Sequence, residues 1–230
     1  DAIDFEPQPA PAAASLSKNP DASAPFTLDW EPWIAEASAA GDLGWDTGPY
    51  RLTPKDPSKP AGHGWFFSVW RRQPDGRWKV AMDVGTKAPG APGPLRPATL
   101  VVPVEPPGPG TRGADVSAEM RALLARDRES AASRSADDLW LATARLHRDG
   151  SLPVAGIHLV AEQTAHRGPF RTTPSGGGVS ASGDLGYTYG SYAITGPSAD
   201  AGYYARVWRR NADGRWRIAV QIERPNPKEK

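Results

Sequence analysis

The sequence predicts an α+β fold built twice within one chain of 230 residues. Two internal matches and one compositional break carry that expectation. The string AGDLGWDTG (Ala40 to Gly48) returns as SGDLGYTYG (Ser182 to Gly190), 142 positions later. GWFFSVWRRQPDGRWKVAMD (Gly64 to Asp83) matches GYYARVWRRNADGRWRIAVQ (Gly202 to Gln221) at ten of twenty positions, offset by 138. The two offsets differ only because one intervening loop is four residues longer, so both halves share a chain path. Between them, Ala88 to Gly110 is crowded with Pro and Gly and reads as a semi-rigid linker.

Local chemistry names the elements. WIAEASA and GGVSASG lead into tight turns at Gly41-Asp42 and Gly183-Asp184, and alternating residues follow, which predicts a β-hairpin in each half. QPDGRW and NADGRW mark a second hairpin, since Asp-Gly suits a turn and the flanks are β-branched and aromatic. Each half therefore ends in a four-stranded antiparallel meander. Ahead of the second meander, Met120, Leu123 and Leu124 fall at helical spacing between about Val116 and Ala132. Ser135-Ala-Asp-Asp138 resembles a capping box and predicts a second helix through LWLATA. A short strand ARLHR and a third helix IHLVAEQTA complete the order.

Aligning Ala2 with Ala144 sets AIDFEP against ARLHRD, so the first half lacks a counterpart of Ser117 to Ala142. The expectation is about 25 further residues upstream, or a cover borrowed from the second half or another chain. The expected divisions are 1–85, a truncated first domain; 86–114, the linker; 115–224, a complete second domain; and 225–230, a tail.

Composition excludes several classes of partner and cofactor. Lys plus Arg (27) nearly balances Asp plus Glu (26), which argues against nucleic acid and anionic membranes. The chain has no Cys, and its four His show no metal-ligand spacing, so neither a metal nor a cofactor is expected. No apolar run is long enough to span a membrane. A start at Asp1 without Met fits an exported protein trimmed of its signal, and a cytoplasmic location stays open.

Helices followed by a curved meander, with GDLGYTYGSY on its first hairpin and VWRRNADGRWRIA on its last, resemble the nuclear transport factor 2-like superfamily, in particular its SnoaL-like branch. The resemblance covers most of Val116 to Arg224 and, without leading helices, Asp1 to Gly85. It implies two cone-shaped domains, each a curved sheet wrapped by helices around an apolar pocket. Relatives commonly dimerise through the sheet's convex face, which implies an internal pseudo-dimer here, or a homodimer. The second cone, having its helices, is expected to hold the better pocket. Family members include polyketide cyclases, ketosteroid isomerase and proteins that only bind, so the fold leaves the reaction open.

Asp42, Asp184, Asp75 and Asp213 sit at turn tips, where Asp serves its own backbone rather than chemistry. Trp70, Trp78, Trp208 and Trp216 recur in both halves and read as cross-strand core. The Arg and Lys around the second hairpin read as a solvated edge. His147 is the acid/base candidate, with Tyr187 or Tyr189 as hydrogen-bond donor to a developing oxyanion. Phe5 takes the place of His147 in the first half. Tyr203, Arg206, Gln221, Asp83 and Trp45 are the ligand-binding candidates.

Positions where the repeats diverge on shared strands are the most informative. Asp83 stands against Gln221, Asp46 and Thr47 against Thr188 and Tyr189, and Ser68 against Arg206. Two pockets with different duties, or drift, would both produce this pattern. The function expected is a small-molecule pocket protein for a hydrophobic metabolite, performing cofactor-free isomerisation, cyclisation or dehydration if it is catalytic. The alternative is a non-catalytic interaction domain whose cones are filled by their own side chains.

Overall fold

A computed structural model describes residues 2–5, 8–13, 24–91, 115–133, 135–196 and 198–227. Most of the expected linker, residues 92–114, lies outside the described residues. The described chain forms two separate sheets. The first contains β1 (Ile3–Phe5), β2 (Pro9–Pro11), β3 (Phe26–Trp30), β4 (Ile34–Ala37), β5 (Leu43–Pro54), β6 (Gly62–Arg72) and β7 (Trp78–Lys87). The second contains β8 (Trp140–Arg148), β9 (Val154–Ala155), β10 (Phe170–Val179), β11 (Leu185–Ile194), β12 (Asp200–Arg210) and β13 (Trp216–Pro225). Helices α1 (Val116–Glu129), α2 (Ala136–Leu139) and α3 (Ile157–Ala165) accompany the second sheet.

The expected meanders are present, and they match in register. The second runs β10-β11-β12-β13, and the first runs β3 and β4 on β5, then β6 and β7. The β6–β7 and β12–β13 ladders shift register at the same point, Val69/Trp70 and Val207/Trp208. The alignment of AIDFEP with ARLHRD is also reproduced: Ile3 faces Met82 in a parallel pair, and Arg145 faces Val220 in the equivalent one. The edge strand opposite β5 is interrupted at Glu31–Trp33, and the edge strand opposite β11 is bulged between Pro174 and Gly176. Gly48 and Gly190 tolerate these interruptions. A Cβ there would lie 1.9 Å from the Glu31 carbonyl oxygen and 2.2 Å from that of Thr173, so only glycine fits.

The second helix differs from expectation. Ser135 Oγ accepts from the Asp138 N–H as a cap should, but α2 is a single turn ending at Leu139, and WLATA belongs to β8. The parallel ladder to β13 begins at Trp140, opposite Ile218, so sheet pairing overrides the local helical signal. Elsewhere α1, the strand through ARLHR and α3 stand where the spacing placed them.

Alternation along each strand gives the sheets two faces with different duties. One face of each sheet packs on the other sheet, joining Leu43, Trp45, Phe67 and Val69 to Leu185, Tyr187, Val207 and Ile222 in a single buried cluster. The opposite face of the second sheet carries its own core, in which Leu123 of α1 and Val160 of α3 meet Trp140, Trp208 and Ile218. Trp216 joins that core, whereas Trp78, its repeat mate, is 42 % exposed. The core reading therefore holds for Trp208 and Trp216 and fails for Trp78.

The Gly-Asp turns do more than reverse the chain. Gly41 and Gly183 supply the left-handed backbone, both at φ 65°. Ser38 and Ser180 hydroxyls donate to the Asp42 and Asp184 carboxylates and accept from the Leu43 and Leu185 N–H groups. The second oxygen of each aspartate reaches the other half, to the N–H of Ala181 and of Ala39 respectively. Asp75 and Asp213 behave as expected, accepting from the N–H of Arg77 and Arg215 within their own turns.

Candidate functional site

Antiparallel and parallel registers together place one row of side chains across the outer face of the first sheet. Asp46 on β5 lies opposite Ser68 on β6, Ser68 opposite Asp83 on β7, and Asp83 opposite Asp4 on β1. Directly opposed residues share a face, so all four point the same way. Ser68 Oγ donates to Asp83 Oδ1 at 2.5 Å, and Trp70 Nε1 donates to Asp46 Oδ1 at 2.9 Å. Above the row is a cavity of about 660 Å³ whose walls include Leu28, Trp30, Tyr50, Leu52, Phe66 and Trp70, with Ser68, Asp83 and Asp4 in its lining. Lys87 and Arg224 stand at its other end, and Arg224 donates to the Phe5 carbonyl.

The row is poorly hydrated for its charge. Burial pushes the Asp46 carboxyl up to about 6; the Trp70 N–H opposes this and the nearby Asp83 charge adds to it. Asp83 is also raised, by desolvation first and by Asp4, against the stabilising Ser68 hydroxyl. Asp46 itself is outside the cavity's lining and meets it through Trp70, whose indole bonds Asp46 and forms one of the walls.

The equivalent row on the second sheet is Thr188, Arg206, Gln221 and Leu146. It is filled rather than open. Arg206, 1 % exposed, donates to Asp127 of α1 at 2.5 Å, to Ser130 at 2.8 Å and to Gln221 at 2.7 Å. Its guanidinium lies over the rings of Phe170, Tyr204 and Trp208, with centroids 5.2, 5.2 and 5.5 Å away. Trp208 Nε1 donates to Thr188 Oγ1, the counterpart of the Trp70 bond to Asp46, with a hydroxyl in place of the carboxylate. A smaller cavity of about 460 Å³ reaches Arg206 and Gln221 from the side of α2 and α3. The roomier cavity thus belongs to the first half, contrary to the expectation from its missing helices.

No protein-family model matches the sequence, and no curated protein matches it. Solved structures do. A conserved protein from Planctomyces limnophilus aligns at 20% identity and TM-score 0.35, covering 46% of this chain and 94% of that one. A nuclear transport factor 2-like protein with a cystatin-like fold from Novosphingobium aromaticivorans aligns at 15% and 0.33, covering 47% and 80%. Another nuclear transport factor 2-like protein, from Cytophaga hutchinsonii, aligns at 17% and 0.32, covering 44% and 88%. The likeness is one of fold. Each alignment takes in about half of this chain and most of its counterpart.

The expected catalytic group is not brought to a cavity. His147 faces the sheet-to-sheet cluster, 1 % exposed, with its ring edge-on to Trp65 at 5.8 Å. Neither ring nitrogen has a hydrogen-bond partner, and burial, with Arg145 adding to it, depresses its pKa to about 3. A histidine held neutral and walled in by apolar side chains has no proton path to a ligand. Tyr187 is buried in the same cluster and Tyr189 packs on it, edge-on to Phe5. Burial raises both phenols. Trp45 is buried there too, with Nε1 donating to Glu36, and the Tyr203 hydroxyl donates to Gln8. Parity explains the error. Odd-numbered positions on β5, β6, β11 and β12 face the other sheet, and even-numbered ones face outward.

Arg206, Gln221 and Asp83 do lie on the outer faces, but the first two are tied into the internal network described above. Of the nominated residues, Asp83 alone sits in the open cavity's lining. Asp46 and Ser68 were not nominated, although divergence between the repeats had marked both. Trp70, set aside as core, forms one of the cavity walls.

Proposed function

We propose that this chain is a small-molecule pocket protein whose working site is the cavity over the first sheet. The observation that carries this reading is the Ser68–Asp83 pair lining a cavity with aromatic walls, with Asp46 next on the same row, set against a second sheet whose matching row is filled by Arg206. Apolar walls favour a hydrophobic body, and the carboxyls fix one polar group of the ligand. The chemistry available there is cofactor-free proton transfer, with Asp83 taking or giving the proton, Ser68 holding the reacting group in place and the Asp46 charge beside them. The working units are residues 1–85 and 115–224, packed as a pseudo-dimer within one chain. For the second unit the scaffold reading is the better one, because its outer face is occupied by its own side chains and by α1.

The test is whether Ser68→Arg, which copies the second half, closes the first. N-phenyl-1-naphthylamine, a neutral apolar fluorophore, should brighten on binding to the native chain and show no enhancement with Ser68→Arg. Equal enhancement by both would place the binding elsewhere.

A further inference from the structure

The two halves solve the same physical problem in opposite ways. In the second, the concave surface holds a cation: the Arg206 guanidinium over aromatic rings, paired with one carboxylate, Asp127. The register carries two of those rings into the first half, where Phe66 takes the place of Tyr204 and Trp70 that of Trp208. The cation is gone, since Ser68 replaces Arg206. Negative charge has been added in its stead, with Asp46 for Thr188 and Asp83 for Gln221. What remains is the cage of a buried cation without the cation.

Resting on the reading of this cavity as the working site, we propose that it takes an organic cation, an ammonium or guanidinium on an apolar body. The charged end occupies the space that Arg206 fills in the second half, over Phe66 and Trp70 and against Asp83, with the Asp46 charge behind Trp70. Ring faces and carboxylates attract a cation jointly, most strongly where water is excluded. An anionic ligand would meet Asp83 and Asp4 in the lining, with the Asp46 charge behind Trp70. Lys87 and Arg224 also line the cavity, away from Ser68. Lys87 pairs with Gly64, four residues along β6 from Ser68, roughly 13 Å away at strand spacing, and Arg224 is engaged by the Phe5 carbonyl.

The experiment is competition for bound N-phenyl-1-naphthylamine by three probes of similar shape: 2-phenylethylamine, 2-phenylethanol and 3-phenylpropionate. On the native chain the amine should compete at least about tenfold better than the alcohol, and the carboxylate least well, as for one desolvated cation–π and ion contact. In the Asp46→Asn/Asp83→Asn variant, whose amides keep the shape and the Trp70 and Ser68 contacts, the amine and the alcohol should become equal. Ser68→Arg should exclude all three. Equal competition by amine and alcohol on the native chain would overturn the cation assignment and leave the pocket reading standing. Failure of the fluorophore itself to bind the native chain would overturn both.

Discussion

Asp42 and Asp184 clasp the two halves reciprocally. Asp42 Oδ2 accepts from the Ala181 N–H at 2.9 Å, and Asp184 Oδ2 accepts from the Ala39 N–H at 2.8 Å. The Ser182 hydroxyl adds a third bridge by accepting from the Ala40 N–H. A repeated motif thus builds an interface between the repeats, with each copy supplying what the other lacks.

That clasp sets unequal costs. Asp184 is buried and accepts from Ser180, Ser182 and Ala39, whereas Asp42 is only half-buried. Asp184→Ala should lower unfolding free energy by about 2–3 kcal/mol because buried donors are left unpaired, and Asp42→Ala by about 1 kcal/mol. Urea denaturation at pH 7 measures both, and a larger loss at Asp42 would contradict the assignment.

His147 predicts acid sensitivity. Its folded pKa, about 3, lies below the ordinary 6.5, so its contribution is fully present above pH 6.5 and is lost as pH falls toward 3. The limiting slope is about 1.4 kcal/mol per pH unit for one proton. His147→Phe, which copies Phe5 of the first half, should remain folded at pH 7 and lack that slope when midpoints are compared at pH 7 and 5.

Asp46 should act in the opposite sense. Its folded pKa, about 6, lies above the ordinary 3.8, so the protonated form favours folding and stability rises as pH falls from about 6 to 4. Asp46→Asn keeps an acceptor for Trp70 and should gain about 1 kcal/mol at pH 7, allowing for the partial exposure of the group. A side-chain carboxyl titration followed by NMR should show its midpoint near 6. An ordinary midpoint would contradict the desolvation of this carboxyl.

Arg206→Ser would give the second half the first half's residue without its carboxyl row. Asp127, buried at 0 % exposure, would lose its cation and keep only Tyr204 as a side-chain donor. A loss of about 3–5 kcal/mol is expected, and Asp127→Asn in the same chain should recover part of it. A thermal melt unchanged by Arg206→Ser would refute the view that this cation fills the second cone structurally.

Much of the architecture was legible because repetition did the work of an alignment. Matching strings placed the meanders and set β1 against β8, and glycine and Asp-Gly placed the turns. LWLATA was misread because a capping serine and helical spacing are local signals, while its ladder to β13 is not. The site was misread for a related reason. His147 and the tyrosines have the right chemistry, but strand parity relative to a partner sheet decides which face they occupy, and no local pattern reports the partner. The better clue was comparative: Asp46, Ser68 and Asp83 are where two otherwise matched surfaces disagree.

The shared cluster between the sheets has a consequence for how the chain comes apart. Leu43, Trp45, Phe67 and Val69 find their cover in the other half, so neither repeat completes its core alone. Duplication has therefore yielded a single cooperative unit. Severed between residues 91 and 115, the two pieces should seek each other out in solution, and only the reunited pair should regain a native melting transition.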